Sequence, residues 1–347
     1  MTNKPRILNL MLSKGQGGME EMGFQYGKTL QEKYFCMSIF HPSSKYAKTN
    51  QKDIKYINTL RTINQYDIIA AFKLSIVISA NKITHCILHG RRAKKIALLA
   101  KKFIKNPPRL IFIDHNNFGI KNFEQMDAIL AISNDNCELL KQHSQLASKV
   151  YKIPNFIDLS QFHNLNKIYT KNKPITLGWM ARFHPVKGLD VFFESLKILQ
   201  NSGLNFKVLI AGGVEKDLTF KIPDSIDRSK IEFCGWVDVK DFYQKIDIFV
   251  SSSIDEPFGL TTLYALAYGI LTASTPTKGA FEMLDKSELD LIAEDFTSKS
   301  LADKILDICD YHESKISEIS NQLRKIAIGQ YSKDVFLGDF DEIIRRL

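Results

Sequence analysis

A carboxylate, a proline and a glycine precede an apolar helical pattern in the stretch DEPFGLTTLYALAYG, residues 255–269. The stretch follows a strand-like run, IFVSSS, at residues 248–253. A helix that begins directly after a strand presents its unbonded backbone N–H groups to an anion. The stretch therefore predicts a phosphate-binding helix start.

A second candidate site lies in GWMARFHPVKGLD, residues 178–190, where Arg182 and Lys187 stand five apart across a loop broken by Pro185. Because this loop also lies between a strand and a helix, both side chains can turn toward one anion. Arginine binds phosphate oxygens through two N–H groups and lysine binds them as a point charge, so the pair suits a diphosphate. Surface charge without a ligand is the alternative interpretation.

A glycine-rich turn, SKGQGGMEE, follows the first predicted strand and places Gly15, Gly17 and Gly18 before a helix. Such a turn lets backbone amides approach a ligand closely. The spacing differs from the dinucleotide-binding pattern G-x-G-x-x-G, because position 20 is glutamate. A glycine-rich turn without a ligand is an equal alternative.

These sites need strands and helices that alternate, and both halves of the chain show that alternation. The strand-like runs are RILNLML, FCMSIFH, YDIIAAF, THCILHG, RLIFIDH, DAILAIS and VYKIP, then ITLGWMA, KVLIAGG, IEFCGW, IDIFVSSS and GILTAST. Alternating strands and helices are typical of doubly wound α/β domains. The sequence predicts domains at 1–168 and 169–328, a polar linker at 158–174 and a final helix at 329–347.

The charge is unevenly distributed. Residues 1–168 carry 25 Lys and Arg against 11 Asp and Glu, whereas residues 169–347 carry 22 against 27. A basic first half favours an anionic partner such as an acidic membrane, a phosphorylated acceptor or a nucleic acid, with solubility charge as the alternative. Aromatic residues are not regularly interleaved with the basic run and no recognition motif is present, which disfavours nucleic acid.

The most basic segment, residues 89–109, contains eight cations and no acid. It predicts a basic amphipathic helix with one apolar face, formed by Ile96, Leu99, Ala100 and Phe103. Such a helix either rests on an anionic bilayer or covers the sheet as a crossover helix, and both can hold together.

The amino-acid composition argues against disordered, zinc-binding and membrane-spanning classes of protein. The apolar fraction of 44% is that of a globular protein. Five scattered cysteines form no C-x-x-C pair, which indicates reduced thiols and disfavours a zinc site. The apolar runs are too short to span a membrane, so we expect a cytoplasmic protein whose basic helix can contact the cytoplasmic face of the membrane.

In their order, these motifs resemble the GT-B retaining glycosyltransferases of the glycosyl transferases group 1 family, of the bacterial lipopolysaccharide-core and surface-glycan type. GQGGMEE is similar to the family's Gly-Gly-x-Glu loop, and ARFHPVKGLD to its Gly-Arg-x-x-x-x-Lys-Gly signature. IPNFID is similar to the Pro-Asn-Gly-Val-Asp segment, with Phe156 in place of glycine, and VLIAGG, IEFCGWV and DEPFGLTTLYALAYG follow in the family's order. The resemblance implies two facing doubly wound domains with the donor in the cleft, and a final helix that crosses back to the first domain.

The resemblance also implies how a nucleotide diphosphate sugar is bound. Arg182 and Lys187 would neutralise the diphosphate. The backbone at the helix start would cap it, through the segment Phe258, Gly259, Leu260 and Thr261. Gly17 and Gly18 would close the site from the N-terminal side.

The remaining implied roles concern the sugar and the base. Glu256 would hold donor sugar hydroxyls, and His115, in IDHNNF, would contact the sugar near the reacting carbon. A hydrogen-bonded histidine that ends a strand is the alternative interpretation of His115. Trp236 and Val237 would border the base.

Tyr264 departs from the family pattern, which has a second glutamate eight residues after Glu256. That carboxylate accepts hydrogen bonds from the ribose hydroxyls, whereas tyrosine offers one hydroxyl and no charge. Loss of such a pair weakens donor binding by roughly 1.5–3 kcal/mol unless a neighbour replaces it. Core packing of Tyr264 is the alternative to a ribose contact.

The implied reaction is transfer of a hexose-type sugar from a UDP- or GDP-linked donor to an acceptor hydroxyl, with retention and without a metal or other cofactor. The basic first half favours a phosphorylated glycolipid or surface-glycan acceptor. Tyr264 keeps a second hypothesis open, a nucleotide-binding pseudoenzyme that has lost turnover.

Overall fold

The computed structural model describes residues 4–15, 17–48, 53–115, 119–162, 165, 173–213, 222–224, 226–285 and 289–347. The chain divides into a first unit, Met1–Phe156 with Lys333–Leu347, and a second unit, Ile157–Ser332. The sequence placed the corresponding boundaries at 168/169 and 328/329. Much of the predicted linker, residues 163–164 and 166–172, lies outside the described residues.

The first unit is built on a parallel sheet of seven strands in the order β3-β2-β1-β4-β5-β6-β7. Because helices cover both faces of such a sheet, its strands are almost continuously apolar; in β1, all residues after Arg6 are buried. The elements are β1 (Arg6–Met11), α1 (Gly18–Leu30), β2 (Phe35–Phe40), β3 (Tyr56–Thr59), α2 (Ile68–Ala80), β4 (His85–His89), α3 (Gly90–Lys101), β5 (Arg109–Asp114), β6 (Ala128–Ala131), α4 (Asn134–Lys141) and β7 (Val150–Lys152).

The run YDIIAAF was predicted as a strand, and this prediction was wrong: it opens helix α2. The Asp67 side chain accepts a hydrogen bond from the Ala70 N–H and so caps the helix. Buried Ala70, Leu74 and Ile78 recur at helical spacing, although the opposite face is apolar too. The edge strand β3 was not predicted, because its side chains are largely exposed and carry little apolar signal.

Helix α3 is shorter than the basic segment from which it was predicted. It ends at Lys101, and Phe103 lies beyond it with 48% of its surface exposed. Ile96 and Ala100 are buried. The described α3 therefore acts as a crossover helix between the parallel strands β4 and β5.

The second unit is built on a parallel sheet of five strands in the order β10-β9-β8-β11-β12. Each of the five strand-like runs predicted in this half overlaps one of these strands. The elements are β8 (Ile175–Met180), α5 (Leu189–Asn201), β9 (Phe206–Ala211), β10 (Ile231–Gly235), α6 (Val239–Lys245), β11 (Ile248–Ser251), α7 (Leu260–Tyr268), β12 (Leu271–Ser274), α8 (Lys278–Leu284), α9 (Ser298–Cys309) and α10 (Glu313–Tyr331). The predicted fold class, two doubly wound α/β domains, is confirmed.

The last helix, α11 (Lys333–Arg346), belongs to the first unit. Phe336 stacks on Phe156 with ring centroids 3.8 Å apart and packs edge-on against Tyr26 at 4.7 Å. Tyr34 donates a hydrogen bond to the buried Asp341 carboxylate. These contacts fix α11 to the rest of the unit through aromatic packing and one buried acceptor. No helix in the described part of the chain is long and apolar enough to cross a membrane.

Candidate functional site

The candidate residues of the second unit lie where the chain order of its sheet reverses. Strand β8 is central, with β9 on one side and β11 on the other. Ligands of doubly wound folds bind at the carboxyl ends of the strands that flank such a reversal. The loop after β8, residues 181–188, and the loop after β11, residues 252–259, both begin at this point.

Hydrogen bonds connect these two loops. Trp179 is buried and donates through Nε1 to Ser252 Oγ at 2.9 Å. Ser252 Oγ donates in turn to the Lys187 carbonyl at 3.1 Å, and the Ile254 N–H donates to the Val186 carbonyl at 2.9 Å. The backbone that carries Lys187 is therefore held against the end of β11. Sequence reasoning missed Trp179 and Ser252, because their bond spans 73 residues.

Gly188 is required for this approach. Its φ of 61° lies in the left-handed region, and a Cβ at this position would stand 1.9 Å from the Ser252 carbonyl oxygen. Any side chain would therefore have to push the two loops apart. The close approach of the two loops thus explains why glycine follows lysine in the predicted signature.

Lys187 and Glu256, one from each loop, form an ion pair. Lys187 Nζ lies 2.5 Å from Glu256 Oε2, and their side chains are 18% and 21% exposed. Arg182 is on the same loop as Lys187 and is exposed. The structure thus brings together two residues that the resemblance assigned to different parts of the donor, the diphosphate and the sugar.

The start of α7 forms the second wall of this candidate site. Gly259 adopts a left-handed conformation at the N-cap, and no side chain caps the helix. The Gly279 N–H donates to the Glu256 carbonyl at 2.8 Å, which fixes the preceding loop. The Phe258 side chain is buried against Tyr331, so only its backbone can face a ligand. The first N–H groups of α7, at Leu260 and Thr261, lie at the helix start that the sequence predicts to bind an anion.

Tyr264, one turn along α7, packs among aromatic rings. It stacks on Phe162 with centroids 5.8 Å apart and meets Tyr243 edge-on at 6.4 Å. Tyr243 donates its hydroxyl to the Thr261 carbonyl at 2.5 Å. Tyr264 is nevertheless only partly buried. Packing against Phe162 and Tyr243 thus accounts for the position of the Tyr264 ring.

Trp236 and Val237 follow β10 and are 59% and 37% exposed. The Trp236 ring lies against Gly213, where an added Cβ would come within 2.5 Å of the indole Nε1. Gly212 N–H also donates to the Gly235 carbonyl at 2.7 Å, so the loops after β9 and β10 lie together. Trp236 therefore presents an exposed aromatic surface at the carboxyl ends of the strands.

In the first unit, Gly17 caps α1 in an extended conformation and Gly18 is the first residue of the helix. Glu20 is buried and accepts a hydrogen bond from Ser13 Oγ, while the Gly15 N–H donates to the same Ser13 Oγ at 3.2 Å. The glycine-rich turn is thus folded around Glu20.

His115 follows β5 and lies in a buried hydrogen-bonded chain. Its Nε2 is 3.0 Å from His89 Nδ1, and His89 Nε2 is 2.8 Å from Asn9 Oδ1. The Asn9 amide nitrogen donates to the Gly23 carbonyl and to Ser38 Oγ. Sequence reasoning missed His89, although it ends β4, which neighbours β5 in the sheet.

These contacts determine the tautomers. Because Asn9 Oδ1 can only accept, His89 carries its proton on Nε2 and offers a lone pair on Nδ1. His115 then donates from Nε2, and its Nδ1 keeps a lone pair. Burial lowers the pKa of His115 to about 3 and, together with the neighbouring His115, the pKa of His89 well below its usual range. Both rings are neutral near pH 7.

The described residues contain no group of three or more His, Cys, Asp or Glu side chains arranged to hold a metal ion. The candidate cationic and anionic groups of the second unit are Arg182, Lys187 and Glu256.

Residues 174–310 match the family model described as glycosyl transferases group 1. The predicted family resemblance is confirmed. The match covers the sheet of the second unit from β8 to β12, including the Lys187–Glu256 pair.

Among curated relatives, the chain is 25% identical over 182 residues to the capsular polysaccharide biosynthesis glycosyltransferase CapM of Staphylococcus aureus, covering 50% of this chain and 46% of CapM. It is 24% identical over 220 residues to the lipopolysaccharide core biosynthesis mannosyltransferase LpsB of Rhizobium meliloti, covering 57% of this chain and 61% of LpsB. The chain thus spans less than two thirds of either relative.

Among solved structures, Anabaena HepE in complex with UDP and glucose superposes with a TM-score of 0.81 at 16% identity, over 99% of this chain and 100% of HepE. At this identity the likeness shows the fold alone. The predicted GT-B fold class is therefore confirmed.

Proposed function

We propose that the protein is a retaining glycosyltransferase that moves a sugar from a nucleotide diphosphate sugar to an acceptor hydroxyl of a glycolipid or surface glycan. The observation that carries this proposal is the meeting of two loops at the carboxyl edge of the second sheet. Lys187 and Glu256 are in contact there, at 2.5 Å, beside the uncapped start of α7. The family match over residues 174–310 supports it.

The donor diphosphate would be held by charge and backbone dipoles without a metal ion. Arg182 supplies a planar guanidinium, Lys187 an ammonium and the start of α7 its N–H groups, which together stabilise the negative charge that develops on a departing diphosphate. Unchanged activity after treatment with EDTA is the expected result. Loss of activity that Mg²⁺ or Mn²⁺ restores would contradict metal independence.

Glu256 would accept hydrogen bonds from hydroxyls of the donor sugar. Donor binding then changes the partners of Lys187, which leaves its contact with Glu256 to meet a phosphate. The neutral His115 would accept a hydrogen bond from a hydroxyl of the transferred sugar through the lone pair on Nδ1. With retention, the departing phosphate would accept the proton of the attacking hydroxyl.

The first test is calorimetric titration of the full chain with UDP, GDP and ADP. UDP is the first choice because the superposed HepE structure holds it. Arg182→Ala should abolish binding of the nucleotide diphosphate. Arg228→Ala is the matched control, since Arg228 is an exposed arginine of the same unit that pairs with Asp224. Equal affinities of the two variants and the wild type would refute the assigned diphosphate site.

Stereochemistry is tested separately, by NMR of the product formed on a panel of glycolipid and glycan acceptors. A product with the anomeric configuration of the donor is expected, and the inverted configuration would contradict retention. A nucleotide-binding module without turnover is the second candidate, favoured by Tyr264 at the position of the family's second glutamate. Persistent binding of the donor with neither hydrolysis nor transfer would support that candidate.

We also propose that the first unit contacts an anionic membrane surface. One face of α2 exposes four large apolar side chains, Ile68, Ile69, Phe72 and Ile76. Phe72 meets Phe103 edge-on at 5.6 Å, which extends this apolar surface beyond α3. The basic segment 89–109 provides cations that attract acidic lipids, each contributing about 1 kcal/mol near the surface.

Sedimentation with vesicles tests this contact. The wild type should bind vesicles that contain phosphatidylglycerol at low salt and release them at high salt. Ile69→Ser should weaken binding, whereas Ile328→Ser, an exposed isoleucine of the second unit, should not. Equal sedimentation of the two variants would show that the α2 face makes no contact.

A further inference from the structure

A cavity of about 280 Å³ lies within the first unit, at the carboxyl ends of β4 and β5. Its walls come from the first two turns of α3, from the end of β5 and from residues 119–123. Small-molecule sites in proteins enclose roughly 300–1,000 Å³. The cavity is thus near the lower limit, and its size suits a single sugar unit with one attached group better than an oligosaccharide.

The cavity is strongly cationic. Four basic residues line it, Arg91, Lys94, Lys95 and Lys121, and among the described lining residues only Asp114 is acidic. Asp114 is buried and accepts a hydrogen bond from the Asn136 amide at 3.0 Å. The excess of basic over acidic residues in the walls favours an anionic occupant.

Lys94 is the most unusual of these groups, because it is only 4% exposed. Its ammonium donates to the Lys121 carbonyl at 2.9 Å and lies over the rings of Phe112 and Phe123, at 4.5 and 4.1 Å. Burial lowers its pKa to about 8, so the ammonium is still charged at pH 7. An ammonium has three donors, and an anion in the cavity could accept from those that the Lys121 carbonyl does not use.

We propose that this cavity binds the phosphate of a phosphorylated sugar on the acceptor, an inference that rests on the proposed glycosyl transfer. A phosphomonoester carries about −1.5 to −2 charge and three acceptor oxygens, and so matches three excess cations better than a carboxylate does. The ring of Tyr66, which is 58% exposed, also lines the cavity and offers a flat face to the sugar. His115 lines the same cavity, which places a neutral imidazole beside the bound acceptor.

The test is calorimetric titration of the full chain, without nucleotide, by inorganic phosphate, glucose 6-phosphate and glucose. Glucose 6-phosphate should bind and glucose should not. Lys95→Gln and Lys121→Gln should each weaken binding of glucose 6-phosphate about 10-fold to 100-fold, the loss of one charge-assisted hydrogen bond. Lys102→Gln, an exposed lysine that is not in the cavity wall, is the matched control.

A lipid-borne source of the phosphate is tested with vesicles that carry phosphatidylinositol 4-phosphate, compared with vesicles of equal charge made with phosphatidylglycerol. If the protein binds the phosphatidylinositol 4-phosphate vesicles selectively, and Lys95→Gln and Lys121→Gln abolish that binding, the cavity binds a lipid headgroup. If the protein binds only dissolved glucose 6-phosphate, the cavity binds a free sugar phosphate. Absence of both, or equal binding by the cavity variants and Lys102→Gln, would overturn the proposal.

UDP binding is measured on the same proteins to separate this inference from the proposed function. Lys95→Gln should keep the wild-type affinity for UDP, and Arg182→Ala should keep the affinity for glucose 6-phosphate. If no nucleotide binds while the cavity variants still lose glucose 6-phosphate, the donor site fails and the phosphate cavity stands. If UDP binds as expected but glucose 6-phosphate does not bind, or binds equally to the cavity variants and Lys102→Gln, only the phosphate cavity is refuted.

Discussion

Substitution of Gly188 by alanine should destabilise the second unit and displace Lys187. Gly188 has a φ of 61°, and a Cβ would stand 1.9 Å from the Ser252 carbonyl oxygen. Because that oxygen belongs to the backbone, no side-chain rotation relieves the contact. The loop that carries Lys187 must move away from β11, which breaks the bonds from Ser252 Oγ to the Lys187 carbonyl and from the Ile254 N–H to the Val186 carbonyl.

The size of the effect follows from these contacts. An alanine in the left-handed region costs about 1–2 kcal/mol. The two hydrogen bonds that join the loops contribute about 0.5–1.5 kcal/mol each. Gly188→Ala should therefore lower the free energy of unfolding by about 2–5 kcal/mol. The assay is urea denaturation followed by tryptophan fluorescence, which reports on the second unit because both tryptophans, Trp179 and Trp236, lie there.

Gly203 provides a matched control. It has a φ of 82°, yet a Cβ there would meet no atom within 4 Å. Gly203→Ala should therefore lose only the conformational part, about 1–2 kcal/mol, and should keep nucleotide binding. Equal losses of stability by the two variants would refute the close approach of Gly188 to Ser252. Unchanged UDP affinity in Gly188→Ala would show that the position of Lys187 does not matter for the donor.

Three further results are expected. Lys187→Gln should weaken UDP binding about 10-fold to 100-fold by calorimetry, through loss of a charge-assisted hydrogen bond, and leave any binding of uridine unchanged. Tyr264→Glu should strengthen UDP binding about tenfold through new contacts with the ribose hydroxyls. It should also lower the free energy of unfolding by about 0.5–1.5 kcal/mol, because the stack on Phe162 is lost. Tyr264→Phe keeps that stack and should keep this stability. His115→Asn should reduce the pH dependence of stability, measured by circular dichroism. The folded pKa of His115, about 3, lies below its unfolded value, so this histidine removes about 1.4 kcal/mol of stability as the pH falls from 7.5 to 5.5.

The strands of the second unit could be predicted because each is a short apolar run that ends near glycine or serine. Helix α2 could not, because its 13 residues, IIAAFKLSIVISA, are apolar on both faces, which hides the helical spacing of the buried side chains. Its outer face stays exposed at Ile69 and Ile76, which local pattern cannot distinguish from burial. The same residues that misled the prediction form the surface proposed to contact a membrane.

The candidate residues of the second unit were found by motif, but their contacts were not. Arg182, Lys187 and Glu256 stand at recognisable spacings in the sequence. The direct contact between Lys187 and Glu256 spans 69 residues, and it depends on strands β8 and β11 being neighbours. A sequence pattern predicts the order of the strands along the chain. The order of the strands in the sheet depends on tertiary packing, which a single sequence does not show.

The protonation states of the candidate groups bear on how the acceptor hydroxyl loses its proton. His115 has a pKa of about 3, so its lone pair is a weak base that can orient a hydroxyl but has little capacity to remove its proton. With the donor bound, the Glu256 carboxylate would accept hydrogen bonds from sugar hydroxyls, and Asp114 is buried and bonded to Asn136. These three candidate groups are thus better suited to hold substrates than to accept a proton. Under the proposed function the base must come from the donor itself, and a departing phosphate, released beside Arg182 and Lys187, is the group that fits.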